Sequence, residues 1–281
     1  MSQQETLYFQ LPPDESQPQR DYCPYCDGLG EGSGFQKNYP KHKGPQQIFL
    51  QTRETQVLVD FAPLSTNHCL LTPIGHDRTF IFSDLGTLGK EFVYSLDVLD
   101  RSLLQQGLES IQFMHGDGQL VKEGGSVHSK RPRVTHDHYH HISIPKKMPA
   151  EGLLKQLIDK FSDENHRIIH LDGITNQNLL ARLFAVTKNQ PFLFFRIGES
   201  GFVVLGEDEK DVDPFESQTH RKIITEILYG ENVLWKWKPQ GNGENAVFRE
   251  RIDKMMGLYA QGLLAIVNGW SNYPTPSSQQ I

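Results

Sequence analysis

Residues 135–142 read THDHYHHI, which places four histidines in six positions of a segment with the character of a β-strand. Alternate side chains of a strand share a face, so His136, His138 and His140 point the same way. The side chains between them, and that of His141, point the other way. Imidazoles spaced about 7 Å apart along one face can bind a metal ion or a phosphate. Six of the 12 histidines fall between residues 115 and 141, which disfavours a merely solvated polar edge strand.

The residues alone leave three kinds of site open. A metallo-hydrolase would use an H-x-H-x-D-H signature, which HDHYHH nearly fits, although His140 stands where the aspartate belongs. Its further ligands would come from His166, His170 or His220. An H-x-H oxygenase-like barrel would need more short strands than the sequence predicts. The third kind is a nucleotidyl-transfer site in which one histidine is the nucleophile.

Composition and charge exclude several classes of protein. The formal net charge of −6 argues against a general nucleic-acid-binding surface. The sequence contains no run of about 18 apolar residues, so no membrane span is predicted. Residues 1–20 lack the basic and apolar regions of a signal peptide. With only 3 cysteines, no disulfide framework is expected. We therefore expect a cytoplasmic globular protein, monomeric or homodimeric, in which the close pair Cys23 and Cys26 is a metal or redox candidate.

The hydrophobic pattern predicts an α+β fold in two parts. Residues 21–149 contain short strands such as TQVLVDFAP and ESIQFMHG, and one main helix, LGKEFVYSLDVLDRSLLQQG, with Thr87 as its N-cap. This pattern predicts a mainly antiparallel sheet. After Pro149 the pattern restarts, with helices and a hairpin formed by PFLFFRI and GFVVLG, so residues 150–270 are predicted to form a C-terminal α/β domain. Residues 1–20 and 271–281 are predicted to be a flexible arm and a flexible tail.

The motif over residues 136–142, HDHYHHI, resembles the signature of the histidine-triad (HIT) superfamily, H-φ-H-φ-H-φ-φ with φ apolar. DFAPLSTNHCLLTPIGHDRTF is similar to the strand–turn–strand segment of that family, which ends in Pro-x-x-His, here at His76. FMHG and ISIP resemble a bacterial branch, and YCPYCD resembles the Cys-x-x-Cys of zinc-containing members. SQTHRKIITEIL followed by VLWKWK resembles the C-terminal extension of some members. The resemblance also extends distantly to galactose-1-phosphate uridylyltransferase.

The resemblance implies a HIT-like antiparallel sheet and covalent chemistry on a nucleotide. His138 would attack the α-phosphorus to form a nucleotidyl-histidine, and His140 would contact the phosphate and help protonate the leaving group. The acceptor would be water, phosphate or a sugar phosphate, and it would decide between a hydrolase, a phosphorylase and a transferase. The partner implied is a small-molecule nucleotide.

The resemblance also implies a structural zinc ion and a set of substrate contacts. Two thiolates and two imidazoles form a closed tetrahedral Zn2+ site. Its ligands would be Cys23, Cys26, His76 and His136. The substrate-binding candidates are Asn67, His68, His115, Ser126, Lys130, Arg131, Gln218 and Arg221.

The sequence departs from the family pattern behind the histidine strand. Asp137 and His141 stand where the family usually has apolar residues, and polar groups are costly to bury without partners. Something polar must cover this face, and the C-terminal domain is the candidate. Ser126 lies in GGSV, where the family has Gly-Gln-Ser-Val. Two alternatives therefore stay open: a non-catalytic nucleotide-binding module or scaffold, and a metal-dependent hydrolase that uses the HDHYHH histidines as ligands.

Overall fold

The computed structural model describes residues 48–60, 62–65, 67–74, 86–116, 120–123, 126–129, 139–145, 149–162, 166–188, 190–206, 219–230, 246, 248 and 250–254. All of them belong to one compact unit, Pro45–Ile281, and the other unit is Met1–Gly44. The strands of the described part are β1 (Ile48–Gln51), β2 (Thr55–Val59), β3 (Cys69–Pro73), β4 (Ser110–Gly116), β5 (Leu120–Glu123), β6 (Ser126–Ser129), β7 (Tyr139–Ser143), β8 (His166–Leu171), β9 (Phe192–Ile197) and β10 (Ser200–Gly206). Its helices are α1 (Thr87–Gln105), α2 (Ala150–Ser162), α3 (Leu179–Thr187) and α4 (Thr219–Tyr229).

Eight of these strands form one sheet, in the order β1-β2-β3-β7-β4-β9-β10-β8. Every neighbouring pair in it is antiparallel. Strand β7 carries the end of the histidine motif and pairs with β3 on one side and β4 on the other. The histidines at 140 and 141 therefore lie on an internal strand, not on a solvated edge.

The predicted α+β class, antiparallel sheet and main helix are confirmed. The predicted hairpin is confirmed as well, because β9 pairs with β10 and Ile197 lies opposite Ser200. The predicted N-cap is wrong by one residue. Gly86 caps α1 without a side-chain hydrogen bond, and Thr87 is already helical. Among the described residues, no helix is long and apolar enough to cross a bilayer.

Strands from both sides of Pro149 belong to the same sheet. Strand β9, from the predicted C-terminal domain, pairs with β4 from Ile111 opposite Ile197 to Gly116 opposite Phe192. The predicted boundary between residues 149 and 150 therefore separates β4 from β9, two strands that pair in one sheet.

Helices cover both faces of this sheet around β7. On the face of His140, called the front face below, Phe161 of α2 and Ile224 of α4 pack in one buried cluster with Phe113 of β4. On the opposite back face, Phe92 of α1 meets Tyr139 edge-on, with ring centroids 5.4 Å apart. Burial of these aromatic rings supplies much of the hydrophobic stabilisation. All five residues of β7 are buried as a result.

Candidate functional site at the centre of the sheet

The front face of β7 places His140 in a cluster of aromatic and polar side chains. His140 stacks on Phe113 of the neighbouring strand, with ring centroids 4.3 Å apart and an interplanar angle of 7°. The two residues are directly opposite each other in the β4–β7 register. This stacking fixes the plane of the imidazole, so its two nitrogens point in defined directions.

A hydrogen bond between His68 and His140 sets the tautomers of both rings. The backbone N–H of Leu64 donates to Nδ1 of His68 at 3.0 Å, so that nitrogen carries no proton. The proton of His68 is therefore on Nε2, which lies 2.8 Å from Nδ1 of His140. His140 accepts there and carries its own proton on Nε2, because a neutral imidazole has one donor and one acceptor. The network thus holds His140 as a neutral ring that donates from Nε2.

Asp60 lies beside the two histidines and is paired with Arg221 of α4. Oδ2 of Asp60 accepts from Nη1 of Arg221, and it lies 3.5 Å from Nε2 of His68. Oδ1 accepts the backbone N–H of Ala62 at 2.7 Å. Burial alone would raise the pKa of the Asp60 carboxyl, but the charge of Arg221, the neighbouring His68 and the Ala62 hydrogen bond together outweigh burial and lower that pKa. Asp60 is therefore an ionised carboxylate in the sheet interior.

The C-terminal part of the chain also holds the turn between β2 and β3. Nη2 of Arg221 donates to the carbonyl of Ala62, and Nη1 of Arg251 donates to the carbonyl of Pro63 at 2.7 Å. The same turn supplies the Leu64 amide that fixes the His68 ring. Two arginines from distant sequence thus position the turn on which the histidine tautomers depend.

His220 of α4 completes the cluster on the side of the His140 Nε2 atom. Its Nε2 lies 3.4 Å from Nε2 of His140. Its ring centroid is 5.2 Å from that of Phe113 and 5.8 Å from that of His115. His220 is buried. In the described part of the chain, three imidazoles therefore meet beside one carboxylate and one guanidinium, from the residue before β3, from β7 and from α4, and His115 of β4 lies at their border.

The Asp60, His68 and His140 side chains also have the spacing of a cation site. One ligand atom from each lies within 4.8 Å of the others. The same atoms are, however, engaged in the hydrogen bonds just described, and the Arg221 guanidinium pairs with the Asp60 oxygen that a cation would need. A hydrogen-bonded relay therefore accounts for the cluster without a cation.

The back face of β7 contains a second polar network, which begins at Tyr139 and His141. Nε2 of His141 donates to Oδ1 of Asp100 at 2.9 Å, and the Tyr139 hydroxyl donates to Oε1 of Gln112 at 2.8 Å. Nε2 of Gln112 donates to the same Asp100 oxygen at 2.8 Å. Burial alone would raise the pKa of Asp100, but the hydrogen bonds from His141 and Asn176 lower it.

Residues after Pro149 complete this back-face network, as the sequence predicted. Nη1 of Arg196 donates to Oε1 of Gln112 at 3.2 Å and to Oδ1 of Asn176 at 2.6 Å. Nδ2 of Asn176 donates to Oδ2 of Asp100 at 2.9 Å and to Oδ1 of Asp97 at 2.7 Å. Arg196 and Asn176 thus supply the polar cover that Tyr139 and His141 require.

The structure places the predicted site residues in different surroundings. His68, His140 and Arg221 meet in the front-face cluster, and His115 borders it through His220. Asn67 donates to Oγ of Ser143 at 3.4 Å. Because side chains alternate along β7, Ser143 points to the back face, opposite to His140. Ser126 lies in the hairpin of β5 and β6. The other predicted residues lie outside the described part: Cys23, Cys26, His76, Lys130, Arg131, His136, His138 and Gln218.

Two members of the cluster were not among the predicted site residues. Asp60 follows the apolar run of β2, and a carboxylate directly after a buried strand is a signal that could have found it. His220 was considered as a ligand for the metallo-hydrolase alternative, together with His166 and His170. Those two lie on β8 at the far edge of the sheet, and β4, β9 and β10 stand between it and β7.

The solved structures reported below are weakly similar to this chain. No protein-family model and no curated protein matches the chain. Three solved structures of the yeast Ap4A phosphorylase Apa2 are similar at low TM-scores. The complex with Ap4A has a TM-score of 0.35 and 13% identity, over 60% of this chain and 63% of that one. A second structure of the enzyme has a TM-score of 0.35 and 12% identity, over 59% of this chain and 62% of that one. The complex with AMP has a TM-score of 0.34 and 13% identity, over 82% of this chain and 77% of that one. In the first two the chain spans less than two thirds of the phosphorylase, and scores this low carry no argument about function.

Proposed function

We propose that the protein is a nucleotide hydrolase or nucleotidyltransferase that acts at an α-phosphate through a covalent nucleotidyl-histidine on His138. The observation that carries the proposal is the state of His140, two residues further along the motif. His140 is buried, stacked on Phe113, and held neutral with its proton on Nε2 by the hydrogen bond from His68. A ring fixed in this way is prepared to donate to an anionic oxygen.

The proposed chemistry divides one displacement into two. In the first step Nε2 or Nδ1 of His138 attacks the α-phosphorus, a P–N bond forms, and the P–O bond to the leaving group breaks. In the second step water, phosphate or a sugar phosphate attacks the same phosphorus and releases His138. The Nε2–H of His140 donates to the phosphate or to the leaving oxygen, where negative charge develops.

Zinc and the remaining substrate contacts belong to the proposal as well. Cys23, Cys26, His76 and His136 would hold Zn2+ in a closed tetrahedral site, whose contribution is structural and not chemical. Of the proposed substrate contacts, His68 and Arg221 lie in the described cluster, but they act there on His140 and Asp60. We therefore assign them to positioning the site and leave direct phosphate contact to Ser126, Lys130 and Arg131.

Mass spectrometry of the intact protein tests the proposal. The protein would be mixed with dinucleoside polyphosphates, nucleoside phosphoramidates and nucleotide sugars and quenched during turnover. We expect a retained mononucleotide in the wild type, none in His138→Ala, and zinc in both. His136→Ala should lose zinc. Binding without adduct or product in the wild type would instead indicate a nucleotide-binding module.

A metal-dependent hydrolase is the second candidate, and the cation spacing of Asp60, His68 and His140 is what favours it. In that case activity would need an added divalent cation, and Asp60→Asn would abolish cation binding measured by calorimetry. Turnover that persists after exhaustive chelation, with the adduct intact, would exclude this candidate.

A further inference from the structure

Helix α4 contributes two consecutive side chains to the front-face cluster. Arg221 pairs with Asp60, and His220 faces His140. Both side chains are buried. Helix α4 lies after Pro149, so the cluster around the histidine strand is incomplete without the C-terminal part of the chain.

The direction of the hydrogen bonds shows what His220 can do there. Leu64 donates to His68, and His68 donates to His140, so the proton of His140 is on Nε2. That N–H faces Nε2 of His220 at 3.4 Å, so His220 is the acceptor and carries its own proton on Nδ1. The distance is longer than an ordinary N–H hydrogen bond. Such bonds at catalytic sites are often long before substrate binds.

Packing gives His220 a second constraint on the same ring. Its centroid is 5.1 Å from that of His140, with an interplanar angle of 55°. Phe113 stacks on the remaining face of His140. Among the residues that the structure describes, the other titratable or charged groups that face this pair are Asp60 and His68 beside His140, Arg221 on α4, and His115 on β4.

We propose that His220 is a positioning residue for His140. It accepts the Nε2–H of His140, whose tautomer is set by His68, and keeps that proton aimed at one point. When a phosphate binds, its oxygen replaces His220 as the acceptor. The catalytic consequence rests on the proposed function, whereas the effect on the Nε2–H of His140 does not.

Three substitutions separate hydrogen bonding from packing. His220→Gln keeps an acceptor near the position of the imidazole Nε2, His220→Asn carries one that is too short to reach it, and His220→Phe keeps the ring but has no acceptor. Lys222→Ala, on the exposed side of the same helix, is the matched control. Circular dichroism and thermal unfolding of the full-length protein show which variants fold.

The primary measurement is the 15N and 1H NMR spectrum of the imidazoles, with His140 assigned through His140→Gln. We expect one Nε2–H tautomer in the wild type, in His220→Gln and in Lys222→Ala. We expect the same tautomer, but a faster exchanging Nε2–H, in His220→Asn and His220→Phe. An unchanged His140 spectrum in folded His220→Asn or His220→Phe would overturn the proposal, and so would the same loss in His220→Gln.

Turnover supplies the second readout. A positioned proton donor contributes about 10²–10⁴-fold, so kcat should fall on the order of tenfold or more in His220→Asn for poor leaving groups. It should change by about twofold or less for a nitrophenolate leaving group, which needs no proton. Equal losses for both kinds of substrate would overturn the positioning role. If the wild type forms no adduct with any nucleotide, the proposed function fails, and the NMR result still decides the role of His220.

Discussion

At the scale of single residues, Asp60 and Arg221 form a buried ion pair beside the candidate site. Both side chains are nearly inaccessible to solvent, at 6% and 4% of their full exposure. Removal of one member of a buried pair leaves the other charge uncompensated, which costs more than the pair itself contributes. The pair also positions the turn that carries the Leu64 amide, so its loss should reach the His68 and His140 rings.

Replacement of Arg221 should therefore destabilise the fold. We expect Arg221→Met to lower the free energy of unfolding by about 3–5 kcal/mol, because Asp60 remains buried without its partner. Arg221→Lys should cost less, because lysine keeps the positive charge. It should still destabilise the fold, because lysine lacks the two donors that reach Asp60 and Ala62. Urea unfolding of both variants measures this, with Lys222→Met as the exposed control. Equal stability of Arg221→Met and the control would contradict the burial argument.

The Asp60 carboxyl also predicts a particular response to acid. Its folded-state pKa lies below its ordinary value of 3.8, so its stabilising contribution is fully present well above pH 3.8. That contribution is lost as the pH falls from there through the lower folded-state pKa. The stability difference between the wild type and Asp60→Asn should thus be constant near neutrality and shrink below about pH 3.8. Denaturant unfolding from pH 7 to pH 3 measures it, and a difference that grows in acid would show the opposite pKa shift.

At the scale of elements, β7 is a strand with two polar faces and no exposed one. Its front face meets His68, Asp60 and His220, and its back face meets Asp100 and Gln112. Internal strands usually carry apolar residues, because unpaired polar groups are costly to bury. Here the polar side chains on each face have hydrogen-bond partners. The strand therefore buries less apolar surface, and its histidine rings are held in fixed orientations.

Substitutions on the back face should affect stability much more than chemistry. We expect His141→Ala to lower the free energy of unfolding by about 1–3 kcal/mol, because it removes a buried ring and a partner of Asp100. The kcat of the remaining folded enzyme should change little, since His141 points away from His140. Unfolding curves and active-site titration separate the two effects, with Lys90→Ala on α1 as the control. A loss of kcat as large as that of His138→Ala would show that the back face takes part in the reaction.

At the scale of the whole molecule, the sheet ties the two predicted parts of the chain together. Strand β4 pairs with β9, and both polar networks draw on residues after Pro149. The fold before residue 149 therefore lacks the helices that cover the front face of β7 and the polar partners Arg196 and Asn176 on its back face.

A chain that ends at Pro149 should consequently not fold to a stable state. Removal of β9 exposes the edge of β4, an open template for aggregation. Removal of Arg196 and Asn176 takes one hydrogen-bond donor away from Gln112 and one from Asp100, respectively. We expect the shortened chain to be insoluble or to lack a cooperative thermal transition, measured by sedimentation and calorimetry against the full-length protein. A well-folded and active shortened chain would support independent domains.

The sequence by itself determined the features that depend on the local periodicity of strands and helices. Alternation along a strand placed His140 opposite to Tyr139 and His141, because the strand period of two is a property of the backbone. The apolar spacing of Phe92, Leu96, Leu99 and Leu103 marked α1, because those residues share one helical face. The polar back face also signalled, from the sequence alone, that a polar cover must exist.

The tertiary structure alone decided which groups meet at β7. Arg221 reaches Asp60 across 161 residues, and Arg196 reaches Gln112 across 84. An arginine on an amphipathic helix is most often solvated, so nothing local distinguishes Arg221 from its exposed neighbour Lys222. His220 became a neighbour of His140 only because burial of Ile224 and Leu228 presses α4 onto the front face of the sheet. Local periodicity thus fixed the direction of each side chain, and the competition to bury apolar surface chose its partner.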